Sequence, residues 1–113
     1  MKKAIKKLDK KVIEALTQVC EEAKTKFEGF TWLTHQANYQ DFPASLMVTC
    51  VFDEDKDVER VLATTEFPTL VELVNVNLNQ QGIKLQKPEK HIRLDSEQAC
   101  QLHNNGDWRK RIS

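Results

Sequence analysis

Between residues 4 and 28, Ile5, Leu8, Val12, Leu16, Val19 and Ala23 return every three or four positions, with Phe27 at the margin of the same arc. Turning each residue by about 100° gathers these side chains into one narrow stripe, which predicts a long amphipathic helix. Gly29 follows where a left-handed cap residue is wanted. The period then shortens to two. Phe30-Thr31-Trp32-Leu33-Thr34-His35 is rich in aromatic and β-branched types, and Leu46, Val48, Cys50 and Phe52 alternate with Met47, Thr49 and Val51. Both runs read as strands, and the second, apolar on both faces, belongs at the centre of a sheet. The intervening Gln36 to Ala44 segment holds Tyr39, Phe42 and Pro43; it is too long for a tight hairpin and too aromatic to be only a solvated connection.

Beyond the second strand, Asp53-Glu54-Asp55-Lys56-Asp57 places acids at the start of a short helix containing Val58, Val61 and Leu62. Acids there complement the positive end of the helix dipole, so capping is the expected role of this cluster. Pro68 suits the first turn of the next helix, whose Leu70, Val71, Leu73, Val74 and Leu78 form a broad apolar face until Gly82. Ile83 to Leu85 and His91 to Leu94 are short alternating pieces around Pro88, which predicts either one strand or a small hairpin. Asp95 is the expected N-cap of a last helix through Ala99, Cys100 and Leu102, ending near Asn104-Asn105-Gly106.

The order is α-β-β-α-α-β-α, an α+β two-layer sandwich with the long helices on one face of a three- or four-stranded mixed sheet. The 113 residues, without repeats or linkers, suffice for one core, so residues 1–113 read as a single domain. A cofactor domain plus a substrate domain does not fit in that length, and no phosphate loop, dinucleotide fingerprint or nucleophile elbow is present. The expectation is a non-enzymatic protein without a cofactor.

Charge changes the picture through its placement, because the 17 basic and 17 acidic residues cancel. Six of the first eleven residues are lysines: Lys2, Lys3, Lys6, Lys7, Lys10 and Lys11. On the wheel they lie opposite the apolar stripe, and cations near a helix N-terminus oppose the dipole, so helix stability does not explain them. A polyanion partner such as a nucleic acid would, although a merely solvated helix end is the blander explanation. Arg109, Lys110 and Arg111 would add to a phosphate-binding surface if the fold brought them beside this helix.

Other candidates are sparser. Cys100 and His103 share a helix face, but one pair with His35 or His91 in support falls short of a four-ligand site, so no metal is expected. The three cysteines, an odd count without close spacing, read as reduced thiols in a cytoplasmic protein. No apolar run approaches the length of a membrane span. Tyr39 is expected to stay partly exposed and to contact a partner. The alternative function is therefore a protein-interaction adaptor or homodimer using a sheet edge or the 36–44 loop.

Phe30-Thr31-Trp32-Leu33-Thr34-His35, Phe42-Pro43-Ala44-Ser45-Leu46 to Val51-Phe52-Asp53, and His91-Ile92-Arg93-Leu94-Asp95 to Ala99-Cys100 resemble a family of small proteobacterial proteins often labelled Fis-family transcriptional regulators. The resemblance covers nearly the whole chain and implies a bacterial cytoplasmic protein that binds DNA. It does not bring a Fis-like helix-turn-helix: only Asp107 to Ser113 follow Gly106, too few residues for a recognition helix.

Overall fold

The computed structural model of the chain describes residues 2–112; the side chains of Lys2 and Lys3 lie outside the described residues. The elements are α1 (Lys2–Lys26), β1 (Phe30–Gln36), β2 (Met47–Phe52), α2 (Asp55–Ala63), α3 (Glu66–Gln80), a 3-10 turn (Pro88–His91), β3 (Ile92–Ser96), α4 (Glu97–Asn104) and α5 (Trp108–Ile112). The fold is α+β in the expected order, with one further short helix at its end.

The sheet order is β1-β2-β3, antiparallel between β1 and β2 and parallel between β2 and β3. Parallel neighbours need a long crossover, and α2 and α3 supply it. Ile83 to Leu85 forms no strand; Ile83 instead inserts into the core, which leaves β3 as the single strand of that region.

On one face of the sheet, Val48, Cys50 and Phe52 meet Val12, Leu16 and Val19 of α1 and Leu70, Val74 and Leu78 of α3 in one buried cluster. Leu8 packs at its margin. The other face is covered too, since Val51 is fully buried yet lies outside that cluster. Trp32, beside Val51 in register, packs edge-to-face on Trp108 of α5 at 5.0 Å, and both indoles donate to Glu97, at 3.1 and 2.7 Å. Arg111 then grips Asp95 with two hydrogen bonds, at 2.7 and 2.9 Å. Asp95 thus belongs to β3 and to this pair; the N-cap of α4 is Ser96, whose hydroxyl accepts from the Ala99 amide at 3.0 Å.

The acidic run caps α2 as expected, with the Asp57 carboxylate accepting from the Glu54 amide at 3.1 Å. Asp57 is also buried, and Arg60 donates to it at 2.9 Å while reaching the Glu28 carbonyl at 2.7 Å. This joins α2 to the turn after α1. Gly29 in that turn has φ +81°, and a Cβ there would stand 2.3 Å from an Asp57 oxygen, so both conformation and space require glycine.

Leu16 is 2% exposed at the centre of the α1 face. Leu16→Ala is expected to cost about 2 to 5 kcal/mol in chemical denaturation; a neutral result would place α1 with another face inward.

Candidate functional site

Lys6, Lys7, Lys10 and Lys11 are exposed on α1, and among the described residues none of them forms an ion pair. Lys2 and Lys3 precede them in the same helix. The first turn of α1 holds no acid, so its positive dipole end and the lysines reinforce one another.

Asp9 is the one carboxylate in this stretch, and it is engaged elsewhere. It accepts hydrogen bonds from the Tyr39 hydroxyl and from His35 Nε2, the latter at 3.2 Å. The Tyr39 hydrogen bond, helped by His35, outweighs burial and holds the Asp9 carboxyl below its ordinary 3.8. Burial, reinforced by Asp9, pushes the Tyr39 phenol up.

Asp9 thereby ties α1 to the end of β1 and to the following loop. The loop is itself closed: Tyr39 stacks on Phe42 at 5.2 Å, the Asn38 amide donates to Ser45 Oγ at 2.9 Å, and that hydroxyl donates back to the Asn38 carbonyl at 2.8 Å. Tyr39 is half-buried with its hydroxyl occupied, so its first role is to clamp α1.

The second basic cluster lies on the opposite face of the sheet from α1. Gln36 Nε2, at the end of β1, donates to the Ile112 carbonyl at 2.7 Å, which brings the C-terminal helix to the strand end that Asp9 reaches from the other side. Arg109 and Lys110 are exposed there, whereas Arg111 is spent on Asp95 and Asn104. The two clusters therefore flank one end of edge strand β1 without merging into a single helix face.

Three further cations, Lys84, Lys87 and Lys90, stand near this end. Helix α3 runs back along α1: its first turns border Lys26, and its last turns share a groove with Glu14 and Gln18. The segment that follows α3 is fastened where His91 Nδ1 donates to the Leu46 carbonyl at 2.7 Å, just before β2. The every-third-residue spacing of these lysines is visible in the sequence, but it matches neither the strand alternation read at Ile83 to Leu85 nor a helix.

At the other end of α1 an acidic cluster stands beside Lys24 and Lys26 of its last turn. The Asp53 amide donates to the Gly29 carbonyl at 2.8 Å, which sets Asp53, Glu54, Asp55 and Asp57 beside Glu28. A 25-residue helix is about 37 Å long, comparable with the 41 Å longest dimension of the molecule, so the two ends are far apart. The acidic cluster thus lies far from the lysine block of α1.

Catalytic and metal candidates are not assembled. Cys50 and Cys100 are fully buried, which pushes the Cys50 thiol up to about 12 and raises that of Cys100. Cys20 is eleven residues from Asp9 on α1, about 16 Å along the axis, too far to join the Asp9–His35 pair in nucleophilic chemistry. His91 and Asp95 sit at opposite ends of β3. Among the described residues no three His, Cys, Asp or Glu side chains are grouped to hold a metal ion, and no helix is long and apolar enough to cross a membrane.

No protein-family model matches the chain, and no curated protein or solved structure matches it significantly.

The depressed Asp9 carboxyl gives a signed pH effect. Its folded value lies below its unfolded one, so its stabilisation is fully present above the unfolded value near 3.8 and is lost as pH falls through the folded value. Urea unfolding should show a stability gap between wild type and Asp9→Asn at neutral pH that closes on acidification past that point. A gap independent of pH would contradict the assignment.

Proposed function

We propose that the chain is a non-enzymatic nucleic-acid-binding module of the bacterial cytoplasm, contacting phosphates through Lys6, Lys7, Lys10 and Lys11. Lys2 and Lys3 extend the same helix, and Arg109 and Lys110 add charge across the edge strand. The observation that supports this reading is the engagement of Asp9: the one acid within the lysine block is turned onto Tyr39 and His35, leaving the exposed lysines without an ion-pair partner among the described residues. Such a block at a helix N-terminus releases counterions when it meets a phosphate backbone. The resemblance to the proteobacterial Fis-labelled group supports the bacterial cytoplasmic setting more than it supports a mechanism. The route differs from a helix-turn-helix, because α5 is five residues long and packed on the sheet.

One observation favours the adaptor or homodimer reading. A groove between α1 and edge strand β1, lined by Leu16, Cys20 and Leu33, carries Ile13 at 47% exposure. An apolar partner there would bind with little dependence on salt.

Salt separates the two. Lys6→Gln, Lys7→Gln and Lys10→Gln together should leave stability within roughly 0.5 kcal/mol per site. The same triple variant should lower the slope of log affinity against log salt on duplex DNA by about 2.7, near 0.9 per lost contact. An unchanged slope, or binding that hardly responds to salt, would refute the proposal.

A further inference from the structure

A pocket of about 500 Å³ lies between residues 43–47 and residues 84–91, within the size range of about 300 to 1,000 Å³ typical of ligand sites. Its parts are sorted by chemistry. Leu46 is buried at the base, with Pro43, Met47 and Leu85 half-buried around it, so the floor is mainly apolar. Lys84, Lys87 and Lys90 are exposed at the rim, and no acidic residue lines the pocket. Among the described residues none of these three lysines is in an ion pair. His91 also lines the site, and its ring is oriented: a carbonyl can only accept, so Nδ1 carries the proton given to Leu46, and Nε2 is its remaining polar atom.

We infer that this pocket binds a small amphipathic anion, an apolar aryl or alkyl body ending in one carboxylate or phosphate. The apolar floor gains from covering the body, while the lysine rim receives the charged end. Neither part suffices alone. A free inorganic anion would leave the floor wet, and an uncharged body would gain nothing from the three ammonium groups at the mouth. The fold makes the pocket from two chain segments that meet only because β3 is parallel to β2, which brings the start of both strands to one edge. This site goes beyond the nucleic-acid reading and stands on different lysines.

Isothermal titration with 1-naphthyl phosphate tests it, with 1-naphthoate, 1-naphthol and inorganic phosphate as comparison ligands. Saturable one-to-one binding of the two naphthyl anions is expected, with naphthol and inorganic phosphate weaker by about tenfold or more. Lys84→Gln, Lys87→Gln and Lys90→Gln together should weaken naphthyl phosphate by about tenfold without lowering the melting temperature, since all three side chains are exposed. The Lys6, Lys7 and Lys10 triple variant should bind it as wild type does, whether or not nucleic acid binds to α1. Equal binding of naphthol, an equal loss in the α1 variant, or no saturation at millimolar ligand would each overturn the inference.

Discussion

A strand buried on both faces has to be covered twice, and β2 imposes that requirement on the whole molecule. Val48 to Phe52 are all within 2% of complete burial. The inner face takes the long helices α1 and α3, which bring the apolar stripe of α1 onto Val48, Cys50 and Phe52. The outer face is closed by Trp32, Trp108 and the short α5, held by Glu97 and by the Arg111–Asp95 pair. Asp9 of α1 and Ile112 of α5 thereby meet the same end of the neighbouring strand β1, one on each face.

From that placement follows the separation of charge. A helix pinned by its apolar stripe presents its opposite side to water along its whole length, and here that side begins with lysines. Asp9 stands at the boundary between the stripe and the lysines, where it can reach His35 and Tyr39 rather than its basic neighbours. The acids collect at the far end because capping α2 and holding Arg60 require them beside the Glu28–Gly29 turn. Each end is explained by local chemistry, and together they set the acidic cluster far from the lysine block although the net charge is zero.

What the sequence disclosed and what it hid divide along contact range. The period of α1, the double-sided apolarity of β2 and the acid cap of α2 are local, and each was legible. The outer face was not, because five residues from Trp108 carry no readable period and the value of Trp108 depends on Trp32, far away in the chain. Asp95 looked like a helix cap because its partner Arg111 could not be foreseen, and the neighbouring Ser96 serves instead. The lysine block was visible as composition, but its availability rests on the Asp9–Tyr39 contact across thirty residues. Lys84, Lys87 and Lys90 acquire a common floor only when the parallel β2–β3 pairing sets their segment against Leu46.

The central claim is that the basic pole of α1 is where a nucleic acid lands. A nitrogen-15 amide titration with a short DNA duplex at low salt maps that landing most directly. The account predicts shifts concentrated in residues 4–11 and at the adjoining 35–40 segment, fading as salt approaches about 200 mM. Shifts centred instead on the groove beside Ile13 and Leu33, or no shifts at any salt, would contradict it.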